Sequence, residues 1–157
     1  MSESDSYKVV VDLDAPIERV FTALSTPDGL RGWWGTDADV SQEVGGEIRF
    51  RWSSTSYVAF RIDRLQPPVE VQWVCIDQND ENLPHPEEWV GTSPSFSLGG
   101  HSGATRLSFV HHGLRPQLEC FTTCESGWDH FLRHSLKPLV ETGTGRPFDP
   151  VDEPTRG

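Results

Sequence analysis

One apolar stripe near the end of the chain limits the possible folds more than any other feature. The apolar residues from Cys124 to Leu139 recur at helical spacing, which predicts one long amphipathic helix. The Thr-x-x-Glu sequence at 122–125 matches a capping box, Pro138 predicts a kink, and Gly143 predicts a C-terminal cap. A helix with so long an apolar face needs a broad apolar surface to cover it.

Segments in which apolar and polar residues alternate supply that surface. Alternation with a period of two predicts strands that are buried on one face, and short turns between them predict antiparallel pairing. An antiparallel sheet crossed by one long helix predicts a two-layer α+β domain. The predicted strands are Tyr7–Leu13, Ile48–Trp52, Val58–Ile62, Val69–Ile76, Trp89–Leu98 and Thr105–His111, with a polar loop at Asp77–Glu88 and a glycine turn at Gly99–Gly103.

Two short helices are predicted after the first strand. Apolar residues fall at helical spacing from Ile17 to Leu24, and Thr26-Pro27-Asp28 then supplies a capping oxygen, a fixed φ and an acid near the helix N-terminus. The second helix runs toward Trp33 and Trp34. Because neighbouring side chains diverge on a helix or a strand, the two rings are not expected to point in one direction. We expect both rings to pack in the core, and the alternative is that one of them lines a ligand site.

Charge and composition exclude several function classes. The 157 residues carry a formal net charge of −11, and their bases form no cluster, so neither a nucleic-acid partner nor an anionic membrane surface is expected. Three cysteines are a small and odd number, so a disulfide framework is not expected. The acidic start does not resemble a signal peptide, and no apolar run is long enough to span a bilayer. We therefore expect a cytoplasmic protein without membrane insertion.

Four segments occur in the order typical of a known family. APIERVFTALSTPDGLRGWW (15–34), GGEIRF (45–50), TRLSFVHHGL (105–114) and GWDHFLRHSLKPLVETGTGRP (127–147) resemble the family named after the activator of the heat-shock protein 90 ATPase. That family belongs to the START-like, or SRPBCC, superfamily. The resemblance implies the helix-grip fold of the birch-pollen allergen: a curved antiparallel sheet of about seven strands wrapped around the C-terminal helix, with a cavity between them.

The resemblance also guides the expected boundaries and activity. We expect a single domain over residues 1–145 and a loosely ordered tail over 146–157. Activators of the chaperone join such a domain to a separate N-terminal domain, for which this chain is too short. The superfamily includes lipid carriers, receptors, cyclases and oxygenase subunits, so the fold alone does not select a function.

Aromatic side chains on the predicted inward faces are the candidate ligand-binding residues. Rigid aromatic rings both fill cores and line small-molecule pockets, so each residue has a packing interpretation beside the functional one. We expect a small apolar or aromatic molecule to bind between the sheet and the helix, without a cofactor. The candidates are Trp33, Trp34, Trp52, Phe60, Trp73, Phe96, Phe109, His111, Trp128, Phe131 and Leu132.

His111 is the polar member of this set. It either satisfies a hydrogen bond in the core or serves as a polar anchor or general base, which would favour a cyclase- or hydrolase-like enzyme. We expect a binding protein rather than an enzyme and assign no catalytic residue. Cys120 and Cys124 could join His111 and His112 as metal ligands, but adjacent histidines on a strand diverge, so no metal site is expected.

A third hypothesis is a chaperone-associated interaction domain that uses its surface instead of a cavity. The oligomeric state is left open between a monomer and a homodimer.

Overall fold

The computed structural model describes residues 6–81, 87–114 and 127–148. One strand, two short helices, six further strands and the C-terminal helix follow one another along the chain. The C-terminal helix is described over residues 127–142. The other elements are β1 (Ser6–Leu13), α1 (Ile17–Ser25), α2 (Pro27–Trp33), β2 (Ala38–Val40), β3 (Glu47–Arg51), β4 (Tyr57–Gln66), β5 (Glu70–Asn79), β6 (Ser93–His101) and β7 (Ala104–His112).

The seven strands form one antiparallel sheet in the order β1-β7-β6-β5-β4-β3-β2. Two irregularities in the β4–β5 register, after Ala59 and after Ile62, accompany its curvature. The C-terminal helix buries Trp128, Leu132 and Leu136 in the hydrophobic core that it shares with the sheet. The predicted helix-grip α+β fold is confirmed.

Alternation along the strands places the apolar residues as predicted. In β1, Val11 and Leu13 are buried, whereas Val10 is 53% exposed. In β4, Arg61 and Asp63 are exposed and form an ion pair of 3.7 Å on the outer face. The period-two pattern therefore located the inward face correctly in these strands.

Both predicted short helices are present. Thr26 caps α2, because its Oγ1 accepts a hydrogen bond of 3.1 Å from the Gly29 amide. The indole N–H of Trp33 donates to the Ala23 carbonyl oxygen at 2.8 Å, which fixes α2 against α1. Gly29 allows this close approach, since a Cβ there would lie 2.5 Å from the Thr22 carbonyl oxygen.

Two predicted strand boundaries around the polar loop are wrong. Strand β5 continues to Asn79 because it stays paired with β4 as far as Tyr57. Gln78 is buried, and its Oε1 accepts from the Trp89 amide at 2.8 Å. Strand β6 begins only at Ser93, and Trp89 lies in the turn before it. Gly91, in the same turn, has a φ of +90°, a conformation that favours glycine. Residues 82–86 of the predicted loop at Asp77–Glu88 lie outside the described residues.

The glycine turn and one strand also differ from prediction. Strand β6 runs through Gly99 and Gly100 to His101, and the hairpin turns at Ser102 and Gly103, both with positive φ. A three-residue edge strand, β2, was not predicted, because alternation over so few residues carries no signal.

The C-terminal helix responds to Pro138 with a change of helix type. Residues Leu132–Leu136 are π-helical, and the Lys137 amide donates to the Leu132 carbonyl oxygen five residues back. At the predicted kink the helix has a π-helical segment before Pro138, because proline has no amide hydrogen to continue the α-helical hydrogen bonds. Gly143 ends the helix as predicted, with a φ of 95°. The predicted capping box at 122–125 lies outside the described residues.

The first residues of the predicted tail are held against the domain. The Phe148 amide donates to the Trp34 carbonyl oxygen, and the Thr36 amide donates to the Phe148 carbonyl oxygen, each at 2.9 Å. Residues 149–157 are outside the described part. None of the helices in the described ranges is both long and apolar enough to cross a bilayer.

Candidate functional site

The space between the sheet and the C-terminal helix holds a continuous set of aromatic rings, here called the aromatic cluster. Its rings come from α2 and the C-cap residue of α2, from the sheet and the residue after β3, and from the C-terminal helix. Most of them are fully buried. The aromatic cluster consists of Trp33, Trp34, Phe50, Trp52, Phe60, Trp73, Phe96, Phe109, Trp128 and Phe131.

Trp34 lies at the centre of the aromatic cluster. Its ring is stacked against those of Trp33 and Trp73, with centroids 5.7 and 5.8 Å away and planes 9° apart in both pairs. Phe50 and Trp128 are nearer still, at 4.5 and 5.0 Å, and cross the Trp34 ring at an angle. These are favourable stacked and tilted ring geometries.

Trp33 and Trp34 both pack in the core, as expected, but the expectation that their rings point in different directions is wrong. Trp33 is fully buried and Trp34 is 3% exposed, and their rings stack on each other. Trp34 is the C-cap residue of α2, with a φ of −106°. Gly35 follows without a side chain, and a Cβ there would lie 2.8 Å from the Trp52 ring.

The structure brings the predicted ligand-binding residues together around this interior. Trp52 and Phe131 are half-buried at its margins, and Leu132 is buried on the helix. The other predicted residues are all buried: Trp33, Trp34, Phe60, Trp73, Phe96, Phe109, His111 and Trp128.

Two aromatic residues of this interior were missed by sequence reasoning. Phe50 belongs to the inward face of β3, and its alternation with Arg49 and Arg51 was a sufficient signal. Trp89 stacks on Trp128 with centroids 5.8 Å apart and planes 5° apart. Its position in a turn gave no signal, because no periodic pattern continues through that segment.

His111 connects β7, the turn before β6 and the C-terminal helix. The Trp128 indole N–H donates to His111 Nδ1 at 3.0 Å, and His111 Nε2 lies 2.7 Å from Thr92 Oγ1. Thr92 Oγ1 in turn donates to the Trp89 carbonyl oxygen at 2.6 Å. Since an indole N–H only donates, Nδ1 is the acceptor and the neutral imidazole carries its proton on Nε2.

Burial keeps this imidazole neutral. His111 is fully buried, and burial, with a smaller contribution from His112, lowers the pKa of His111 to about 3. Both ring nitrogens are engaged in hydrogen bonds, so accepting a proton at Nδ1 requires loss of the bond from Trp128. His112 is exposed, as predicted. Cys120 and Cys124 lie outside the described residues.

None of the fully buried residues in the described ranges is charged, but Glu88, the neighbour of Trp89, has a buried carboxylate oxygen, Oε1, without a hydrogen-bond partner. The buried polar residues are serine, threonine, glutamine and histidine, while the arginine ion pairs lie on the surface. A separate surface depression of about 550 Å³ lies beside the β6–β7 hairpin. Asp12 and Arg106, the charged residues that line it, form an ion pair with each other at 2.9 Å. We therefore take the aromatic cluster as the candidate site.

Comparison with protein families identifies the chain. Residues 14–141 match the family described as activator of Hsp90 ATPase homolog 1-like protein. The chain belongs to this family. The resemblance stated from the sequence is therefore confirmed, together with membership of the START-like superfamily. No curated protein sequence matches the chain significantly.

Solved structures of the same fold support the assignment. The Aha1 dimer from Colwellia psychrerythraea, solved in solution, is 29% identical, with 89% of this chain and 98% of that chain covered and a TM-score of 0.76. A Chromobacterium violaceum protein is 23% identical over 87% of this chain and 97% of its own, with a TM-score of 0.68. DynU16, a putative protein in the dynemicin biosynthetic locus, is 20% identical over 90% of this chain and 49% of its own, with a TM-score of 0.69. The latter two show the fold alone.

Proposed function

We propose that this protein binds a small, planar, apolar or aromatic molecule between the sheet and the C-terminal helix. The observation that carries the proposal is the Trp34-centred ring stack: Trp33, Trp34 and Trp73 are buried, and their rings lie nearly parallel. A flat ligand makes the same kind of contact with these faces as they make with one another. We propose that ligand entry separates rings of the aromatic cluster.

The hydrogen bonds of His111 favour binding over catalysis. Its lone pair is taken by Trp128, and its N–H faces Thr92, so the imidazole holds the surrounding elements together. A general base needs a lone pair within reach of the substrate proton. We therefore propose a carrier, sensor or sequestering role in place of a cyclase- or hydrolase-like activity.

Thermal unfolding against a panel of neutral aromatic and aliphatic molecules tests this proposal. A ligand at 100 times its dissociation constant adds about 2.7 kcal/mol to the free energy of unfolding. For a domain of this length the midpoint rises by roughly 5–10 °C. The rise should be lost in Trp73→Phe and retained in Val10→Ala, which changes an exposed residue of β1. Equal rises in both variants would place the ligand elsewhere.

A second candidate is a protein-interaction function, favoured by the match to the Aha1 dimer over 98% of that chain. Under this proposal the chain forms a homodimer or binds the Hsp90 chaperone through its surface. Light scattering of the purified protein measures the first, and binding to purified Hsp90 measures the second. A monomer that does not bind Hsp90 would contradict this candidate and leave the ligand proposal standing.

A further inference from the structure

The sheet ends in two edge strands, and only one of them is well protected against the addition of another strand. Strand β2 has three residues, and Arg31 covers its edge by donating from Nε and Nη2 to the Ala38 carbonyl oxygen at 3.1 and 2.8 Å. Strand β1 has eight residues, contains no proline and pairs with β7 without a bulge. Because long, regular edge strands are the places where a further strand adds, β1 is the edge at which this sheet can be extended.

Alternate residues of β1 direct their backbone groups to the side away from β7, here called the open edge. In an antiparallel sheet, successive residues of a strand direct these groups to its two sides in turn. The Leu98 amide of β6 donates to the Val69 carbonyl oxygen, on the β5 side. With the registers of β6, β7 and β1, this direction places the backbone groups of Val10 and Asp12 on the open edge. Lys137 Nζ donates to the Asp12 carbonyl oxygen at 2.9 Å, as expected for a carbonyl group that does not bond β7.

Val10 has a backbone donor and acceptor available at the open edge. Its amide and carbonyl groups bond no residue of the described ranges on this side, and its side chain is 53% exposed. Val10 lies between Lys8 and Asp12, whose side chains are exposed on the same outer face. A strand that adds here therefore meets one apolar residue with a cation on one side and an anion on the other.

This pattern is complementary to itself. When two copies of β1 pair antiparallel with Val10 opposite Val10, Lys8 of each copy lies opposite Asp12 of the other copy, on the same face. A shift of one residue would place outward-facing residues opposite inward-facing ones, and a shift of two would place Val10 opposite a charged residue. One register therefore matches both the apolar and the charged residues.

We propose that β1 pairs antiparallel with β1 of a second copy of this chain, about a two-fold axis at Val10, so that one continuous sheet spans a homodimer. The proposal rests on the homodimer form of the second candidate function and makes it more specific by naming the interface. Such a contact is symmetric, since the same residues of both copies meet, and it closes at two copies.

Backbone hydrogen bonds supply the affinity in this arrangement. Two form at the Val10 pair, and two more form at each pair of Lys8 with Asp12. The Asp12 carbonyl oxygen accepts one of them beside its bond to Lys137, because a carbonyl oxygen has two lone pairs. The Asp12 carboxylate also pairs with Arg106 at 2.9 Å but is 74% exposed, so a second cation reaches it. Exposed ion pairs contribute little to affinity, so the charges select the register.

Analytical ultracentrifugation of the full chain from micromolar to millimolar concentration tests the interface. The wild type should form a dimer whose fraction rises with concentration. Val10→Pro removes the amide hydrogen at the two-fold axis and no bond to β7, so the dimer should dissociate at least about tenfold more readily. Val10→Thr keeps the amide and the branched shape, and it should dimerise like the wild type.

Two charge variants test the register and do not require Val10→Pro to fold. Lys8→Glu and Asp12→Lys should each associate with themselves about tenfold more weakly, because like charges then lie opposite each other at both ends of the paired segment. An equimolar mixture of the two variants should regain the wild-type association, since every charged pair of the mixed dimer has opposite signs. Both variants keep a net negative charge, so general attraction between them does not explain such a recovery.

The possible failures are distinguishable. A wild-type monomer at millimolar concentration would overturn the proposal together with the homodimer form of the second candidate function. A dimer that Val10→Pro and both charge variants leave unchanged would overturn the β1 interface and leave the homodimer standing. In the wild type, amide hydrogen exchange at Val10 should be slower at millimolar than at micromolar concentration, and equal rates in a dimerising sample would also overturn the proposal.

Discussion

The titration of His111 gives a prediction whose magnitude follows from the structure. Protonation of the imidazole would place a positive charge in a fully buried site and remove the acceptor for the Trp128 indole N–H. The pKa of His111 is about 3 in the folded protein, compared with an ordinary value of 6.5. Because the folded-state pKa is lowered, the unfolded chain binds more protons between these values, and stability falls as the pH falls.

The size of this loss can be calculated by linkage. Between pH 8 and pH 5, a single group with these two pKa values reduces the free energy of unfolding by about 2 kcal/mol. For a protein of this length the corresponding decrease in Tm is roughly 4–8 °C. The loss begins near pH 6.5 and continues as the pH approaches 3.

Urea unfolding of three proteins at pH 8 and pH 5 measures the effect. His111→Asn removes the titrating group while its Oδ1 replaces one acceptor, so this variant should be less stable at pH 8 but should lose about 2 kcal/mol less on acidification than the wild type does. His112→Gln changes the exposed neighbour and should retain nearly all of the wild-type pH dependence. Comparison with the variants removes the contribution of the other titrating groups.

The nuclear magnetic resonance signals of the His111 ring in the wild type give a second test, which does not require the His111→Asn variant to fold. In the folded wild type, the imidazole resonances of His111 should stay those of the neutral Nε2–H tautomer throughout pH 5–8. Titration of these resonances near pH 6.5 would refute the reasoning. An identical loss of stability in the wild type and His111→Asn would refute it equally.

Two further predictions concern close packing around the aromatic cluster. Gly35→Ala should lower the free energy of unfolding by about 1–3 kcal/mol in urea, since the new Cβ lies 2.8 Å from the Trp52 ring, while Gly99→Ala, with open space around its Cβ position, should show no such loss. Ser135→Ala should cost about 1–3 kcal/mol in the same assay, because it removes the hydroxyl that donates to the Trp33 carbonyl oxygen at 2.6 Å; unchanged stability would contradict that account.

The fold was predictable because its main elements have strong periodic patterns. Alternation located the inward faces of β3, β4 and β7, and one apolar stripe located the C-terminal helix. The three-residue strand β2 is too short for a period to be read. The segment between β5 and β6 is held by the Trp89 amide bonding Gln78 Oε1, a contact that forms only in the folded chain. Such contacts between distant residues are not encoded in a local pattern.

The composition of the candidate site was more predictable than its geometry. Inward alternation identified Trp73, Phe109 and His111 as neighbours of the helix, and the structure buries all three. The stacking of Trp33 on Trp34 was not predictable, because it depends on where α2 ends and on the geometry of its C-cap residue. The hydrogen-bond partners of His111 come from two other segments, and no spacing in the sequence relates them.

The most direct test of the proposed function is an intermolecular nuclear Overhauser measurement on the protein with a flat aromatic molecule that raises its Tm. It reports which protein protons lie close to the protons of the bound molecule. The account predicts contacts from the ligand to the rings of Trp34 and Trp73. Contacts confined to exposed residues such as Val10, or no contacts at saturating ligand, would contradict it.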